Sequence, residues 1–184
     1  MFSIFIPESP LSNETEYFGP YSGFTLRGEG VLSSILTDAY VSAPDNEDGL
    51  GLLSSSGRTV KALWDTGATN CVVTDTLAKE LGLPPIMRLP VRHGGGESME
   101  NVYLLDITLV NGVRFSGLRV TECHDVGGEF GLIIGMDIIC SGDLAITNNG
   151  GVTVVSFRHP SKYHIDFDDE IMRDNELFYQ RQHI

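Results

Sequence analysis

The chain has 184 residues, enough for one domain with short appendages, and 41 % of them are apolar, which supplies a core and argues against disorder throughout. Its 25 acidic residues against 12 basic ones give a formal charge of −13, which excludes a basic surface for nucleic acid and is read first as a source of solubility. No stretch reaches the roughly 20 apolar residues of a membrane span, and the N-terminal run Phe2–Ile6 lacks a basic lead and stops at Pro7, so neither membrane insertion nor secretion is expected.

Residues 1–20, rich in Pro, Ser and Glu, read as an irregular arm. Residues 21–43 hold a long strand or a strand pair, with the β-branched and aromatic run from Val31 to Val41 as its clearest part. Pro44 to Arg58 is rich in Gly, Ser and acids and reads as an exposed loop. Two short apolar strands follow between Val60 and Val73, split by Asp65-Thr66-Gly67-Ala68-Thr69-Asn70. A helix comes next. Thr74 or Asp75 caps it, Leu77 and Leu81 share a face, Gly82 takes the left-handed position after it, and Pro84-Pro85 block continuation.

Beyond Gly94-Gly95-Gly96 a strand runs from Val102 to Val110. Asn111-Gly112 then predicts a two-residue hairpin with positive φ at both positions. The apolar phase slips by one across Ser116-Gly117, which predicts a bulge. Gly131–Gly135 is a further strand, and Asp137 is read as the cap of a short helix reaching Cys140. Leu144–Thr147 and Val152–Phe157 form a last hairpin. The acidic tail, residues 159–184, holds one helix from Asp168 to Gln180, capped by Asp168. Its stripe of Ile171, Met172, Phe178 and Tyr179 is expected to dock on the body. The sum is a mainly β chain with few helices.

Several chemistries find no support. The histidines His93, His124, His159, His164 and His183 show no ligand spacing, so neither a metal nor another cofactor is expected. There is no Gly-x-Ser-x-Gly elbow, and no Gly-Lys-Ser/Thr follows the glycine run to cradle a phosphate. Cys71, Cys123 and Cys140 are odd in number and form no Cys-x-x-Cys pair, which suits a reducing, cytoplasmic setting. Cys71 and Trp64 are read as core residues. What stands out is Asp65-Thr66-Gly67-Ala68 between two apolar strands, followed late in the chain by Ile133-Ile134-Gly135. Asp-Thr-Gly alone is a common turn, but the order and spacing of the two motifs are specific.

In these two motifs the sequence resembles the retropepsin family of aspartic proteases. The helix at 74–81 and the Gly135-Met136-Asp137 continuation are more like cellular and bacterial members than compact viral ones. The resemblance implies an all-β, single-lobed, barrel-like fold over residues 21–158, with an insertion at 44–58 and a substrate-covering flap at about 90–102. It implies Asp65 as the catalytic carboxylate, supported by Thr66, Gly67, Ala68, Ile133, Ile134 and Gly135. Thr66 would hydrogen-bond across a two-fold axis, and Gly94, Gly95 and Gly96 would lie in the flap, although a plain hairpin fits those glycines equally well. The partners so implied are a second copy of the chain and a peptide or unfolded protein. Ala68 replaces a Ser whose hydroxyl would stabilise the ionised form, so the paired carboxylates are expected to work at weaker acid or near neutrality. A silent peptide-binding module of the same fold is the alternative, since fold alone does not fix function.

Overall fold

The computed structural model describes residues 20–44, 57–93, 96–124 and 128–182. The N-terminal arm (save Pro20), nearly all of the 44–58 loop, and Gly94 and Gly95 lie outside the described residues.

Among the described residues ten strands and three α-helices follow in chain order: β1 Ser22–Arg27, β2 Leu36–Ser42, β3 Arg58–Trp64, β4 Val72–Thr74, α1 Asp75–Glu80, β5 Met87–His93, β6 Gly96–Leu109, β7 Arg114–Cys123, β8 Leu132–Ile134, α2 Met136–Ile139, β9 Asp143–Thr147, β10 Val154–His159 and α3 Asp168–Gln182. Seven strands form one sheet in the order β2-β3-β8-β4-β7-β6-β5, and β1-β10-β9 form a second. In the large sheet β2 also pairs with β6, Ala39 to Ser42 running against Leu109 to Asp106, so the sheet curls back on itself and is nearly, not fully, closed. This is a mainly β fold.

Alternation sets the core. Ala62 and Trp64 of β3, Leu132 and Ile134 of β8 and Val73 of β4 are buried on one face, with Leu105, Ile107 and Leu109 of β6 in the same cluster. The small sheet joins it through Phe157, whose ring centroid lies 5.0 Å from that of Trp64, and through Phe24, 5.6 Å from Trp64. The Trp64 indole Nε1–H donates to Thr37 Oγ1 at 3.0 Å, so this side chain is buried with its polar atom satisfied.

Local signals hold where they are self-sufficient. Thr74 caps α1 by accepting from Leu77 N, and Gly82 follows the helix at φ +63°. The bulge is present: Leu105 faces Leu118 while Ile107 faces Phe115, leaving one extra residue on β7. Gly117 has φ +62° there, and the buried Asp106 fastens the turn, accepting from Gly117 N at 2.6 Å and pairing with Arg114.

Five expectations are corrected. Strand β2 starts only at Leu36; ahead of it Leu32 N donates to Thr153 Oγ1 and Thr153 N to Gly30 O, so that stretch is tied to the chain before β10. The β6–β7 loop has three residues, not two. Gly112 N donates to Leu109 O and Leu109 N to Val113 O, and only Gly112 has positive φ, the pattern of a turn closed by a glycine bulge. Asp137 does not cap α2: the cap position is Gly135, without a side-chain bond, and the Asp137 carboxylate turns to Cys71. Finally, Asp168 is the first residue of α3 rather than its cap, and Ile171, Met172, Phe178 and Tyr179 are each more than half exposed, so the stripe does not dock on the body. The acidic flanks of α3 gain nothing by approaching a body that is itself rich in acids. Among the described residues no helix is long and apolar enough to cross a membrane.

Candidate active site

Three short strands present the Asp65 loop. Strand β8 lies between the strand that enters the loop and the strand that leaves it: β3 runs parallel to it, with Trp64 beside Ile134, and β4 antiparallel, with Val72 beside Ile133. The chain therefore crosses over the end of β8 between residues 65 and 71. Asp65 N donates to Ile134 O at 3.0 Å, which fixes the entry. Inside the loop Ala68 N closes a turn onto Asp65 O, and Gly67 N donates to Asp65 Oδ1 at 2.8 Å. A backbone donor thus orients the carboxylate, as local Asx chemistry allows.

The strand-to-helix corner beneath supplies the floor. Met136 N donates to Ala68 O at 2.8 Å. Gly135 is required by contact rather than by φ, because a Cβ there would stand 2.4 Å from the carbonyl carbon of Asn70 and 2.5 Å from its oxygen. Ile134 is fully buried and anchors β8, whereas Ile133 points to the opposite face and is half-buried. There it forms a row with Leu63 and Val72, its register partners on β3 and β4, both also half-buried. Asp65 and Ala68 are half-buried, and Thr66 and Gly67 exposed, so the loop tip is open to a neighbour.

The sequence-derived set is thus brought together for Asp65, Thr66, Gly67, Ala68, Ile133, Ile134 and Gly135. Of the glycine run only Gly96 is described, at φ +125° and paired with His93 across the β5–β6 hairpin. Sequence reasoning missed two features. One is the Leu63-Ile133-Val72 row, which needs strand register to appear. The other is Asp137, whose Oδ2 accepts from Cys71 N at 2.9 Å and whose Oδ1 accepts from Cys71 Sγ at 3.0 Å. Burial first, and then the bond to Asp137, push the Cys71 thiol far up, so it stays a protonated donor.

A model of the aspartyl protease family matches residues 53–138. No curated protein matches the sequence. Among solved structures the chain is similar to a retropepsin-like aspartic protease from Rickettsia conorii, at 13 % identity over 77 % of this chain and 98 % of that one, with a TM-score of 0.46. It is also similar to the simian foamy virus (mac) protease, at 18 % identity over 56 % of this chain and 89 % of that one, with a TM-score of 0.38. The match to the aspartyl protease family thus spans residues 53–138, with Asp65-Thr66-Gly67-Ala68 and the Ile133-Ile134-Gly135 corner beneath it both inside.

Proposed function

We propose that the protein is an aspartic endopeptidase in which Asp65 meets its own copy across the two-fold axis of a homodimer. The observation that carries this reading is the Asp65 loop: a single Asp-Thr-Gly-Ala whose carboxylate is oriented by Gly67 N while Thr66 and Gly67 stand exposed. Peptide hydrolysis without a metal needs a base to take a proton from water as its oxygen attacks the carbonyl carbon. It also needs an acid to protonate the carbonyl oxygen and then the leaving amine. Two carboxylates about 3 Å apart hold one proton between them and so provide both functions. One chain offers one such loop, and an isologous dimer is the simplest way to supply the second. Thr66, at the exposed tip, is then the residue to bond the partner loop, and Ile133, Ile134 and Gly135 act as supports.

An extended peptide would lie over the loop beneath the β5–β6 hairpin, the proposed flap, to which the sequence motif Gly94-Gly95-Gly96 is assigned. The row Leu63, Ile133 and Val72 gives an apolar wall for a substrate side chain. A cytoplasmic setting belongs to the proposal through the cysteine pattern alone.

The test is cleavage of unfolded casein by the wild type and by Asp65→Asn. The wild type should cut and the variant should lose at least about a thousandfold in kcat/KM, since the substitution turns both carboxylates of the dyad into amides and leaves neither the base nor the acid. Absence of cleavage by both would favour a peptide-holding module, and equal cleavage would place the chemistry elsewhere.

A further inference from the structure

We infer that Asp137 is a positioning residue for the active-site loop: by gripping Cys71, it sets the exit of the loop and with it the orientation of Asp65. The inference rests on the proposed role of Asp65 and extends it to a residue of α2, far along the chain from the loop that it holds.

 The loop is fastened to the corner beneath it at three places. Its entry is held by Asp65 N on Ile134 O and its middle by Met136 N on Ala68 O, both backbone to backbone. At the exit the amide of Cys71 is held by a side chain, Asp137 Oδ2, at 2.9 Å.

Three donors converge on this one carboxylate: Cys71 N–H on Oδ2, and Cys71 S–H at 3.0 Å and Ile138 N–H at 2.9 Å on Oδ1. The sulfur in turn accepts from Gly135 N at 3.4 Å, which ties the exit of the loop to the glycine on which Asn70 rests. An ionised carboxylate is an acceptor only and suits this set. Cys71 is fully buried, so water cannot take over its amide if the carboxylate is removed. A loop released at its exit can rotate its exposed tip, and a displacement of about 1 Å at reacting atoms costs orders of magnitude in rate.

The test uses the full chain, with steady-state cleavage of a fluorogenic peptide and amide hydrogen exchange on the same samples. In Asp137→Ala, kcat should fall about tenfold or more while KM stays within about twofold. Exchange at Ala68 and Cys71 should quicken while Leu105 and Ile107 in the barrel stay protected. Asp137→Asn keeps one acceptor and should lose less. Cys71→Ser keeps a donor towards Asp137 and should lose less than Cys71→Val. Unchanged kcat and unchanged exchange in Asp137→Ala would overturn the inference, as would a loss matched by faster exchange throughout the barrel. If Asp137→Ala does not fold, the two Cys71 variants decide: equal kcat in both overturns it. Wild-type rates in Asp65→Asn would instead overturn the catalytic reading, and the exchange at Ala68 and Cys71 would still report whether Asp137 holds the loop.

Discussion

Trp64 joins three parts of the molecule through one side chain. It ends β3 immediately before Asp65, packs on Phe24 and Phe157 of the small sheet, and donates to Thr37 on β2. Its backbone N–H also donates to Ile35 O at 2.9 Å, so both the strand and the ring are held. Removing the ring leaves a cavity where the two sheets meet. Trp64→Ala should therefore cost about 3–5 kcal/mol of stability, and Trp64→Phe less, about 1–3 kcal/mol, from the smaller ring and the lost bond to Thr37. Urea unfolding followed by circular dichroism measures both. A cost below 1 kcal/mol for Trp64→Ala would mean that the sheets close without it, on the order expected of a surface site. The sequence places Trp64 in the core because it ends an apolar strand. Its partners are 40 and 93 residues away in Phe24 and Phe157 and leave no local mark.

Strand β9 and the segment after β10 are joined by a carboxylate. Asp143 pairs with Arg158 and accepts from Ser161 Oγ at 2.6 Å and Lys162 N at 3.0 Å, while the Arg158 guanidinium lies 4.4 Å from the Tyr163 ring centroid. Burial works against ionisation of Asp143, but the bonds from Ser161, Arg158 and Lys162 outweigh it and hold its carboxyl below the ordinary value. A lowered folded pKa means that the stabilisation is present above the unfolded value, about 3.9, and is lost as pH falls through the folded one. Asp143→Asn should be about 1–2 kcal/mol less stable at neutral pH, and the gap to the wild type should close on acidification below about pH 4. Urea midpoints across that range check it; a gap that widens in acid would reverse the sign. Elements governed by their own caps, such as α1 with Thr74 and Gly82, are legible in sequence, because each signal lies within a turn of its effect. The β6–β7 loop is not, because Asn111-Gly112 suits more than one turn, and strand pairing at Leu109 and Val113 selects the three-residue form.

At the scale of the whole molecule, the proposed activity belongs to a pair of chains. Activity per chain should fall when dilution dissociates the dimer, and sedimentation run beside the assay should show the two transitions coinciding. Activity that persists unchanged in a demonstrated monomer would remove the shared-proton mechanism. Helix α3 stands apart from this core, its large apolar residues over half exposed. Truncation before Asp168 should thus leave the unfolding midpoint of the remainder nearly unchanged, within about 0.5 kcal/mol of stability. A larger loss would mean that α3 covers part of the body after all.

By itself the sequence determined the mainly β character, the capped α1, the bulge at Ser116-Gly117 and the two motifs that frame the Asp65 loop. These depend on alternation, on backbone conformation at single glycines and on side chains bonding a few residues away. Only the tertiary structure decided that Asp137 holds Cys71, that Leu63, Ile133 and Val72 line up, and that the stripe of α3 stays exposed. Each of these depends on which distant strands lie side by side, a choice made by burial of the whole core rather than by any local run of residues.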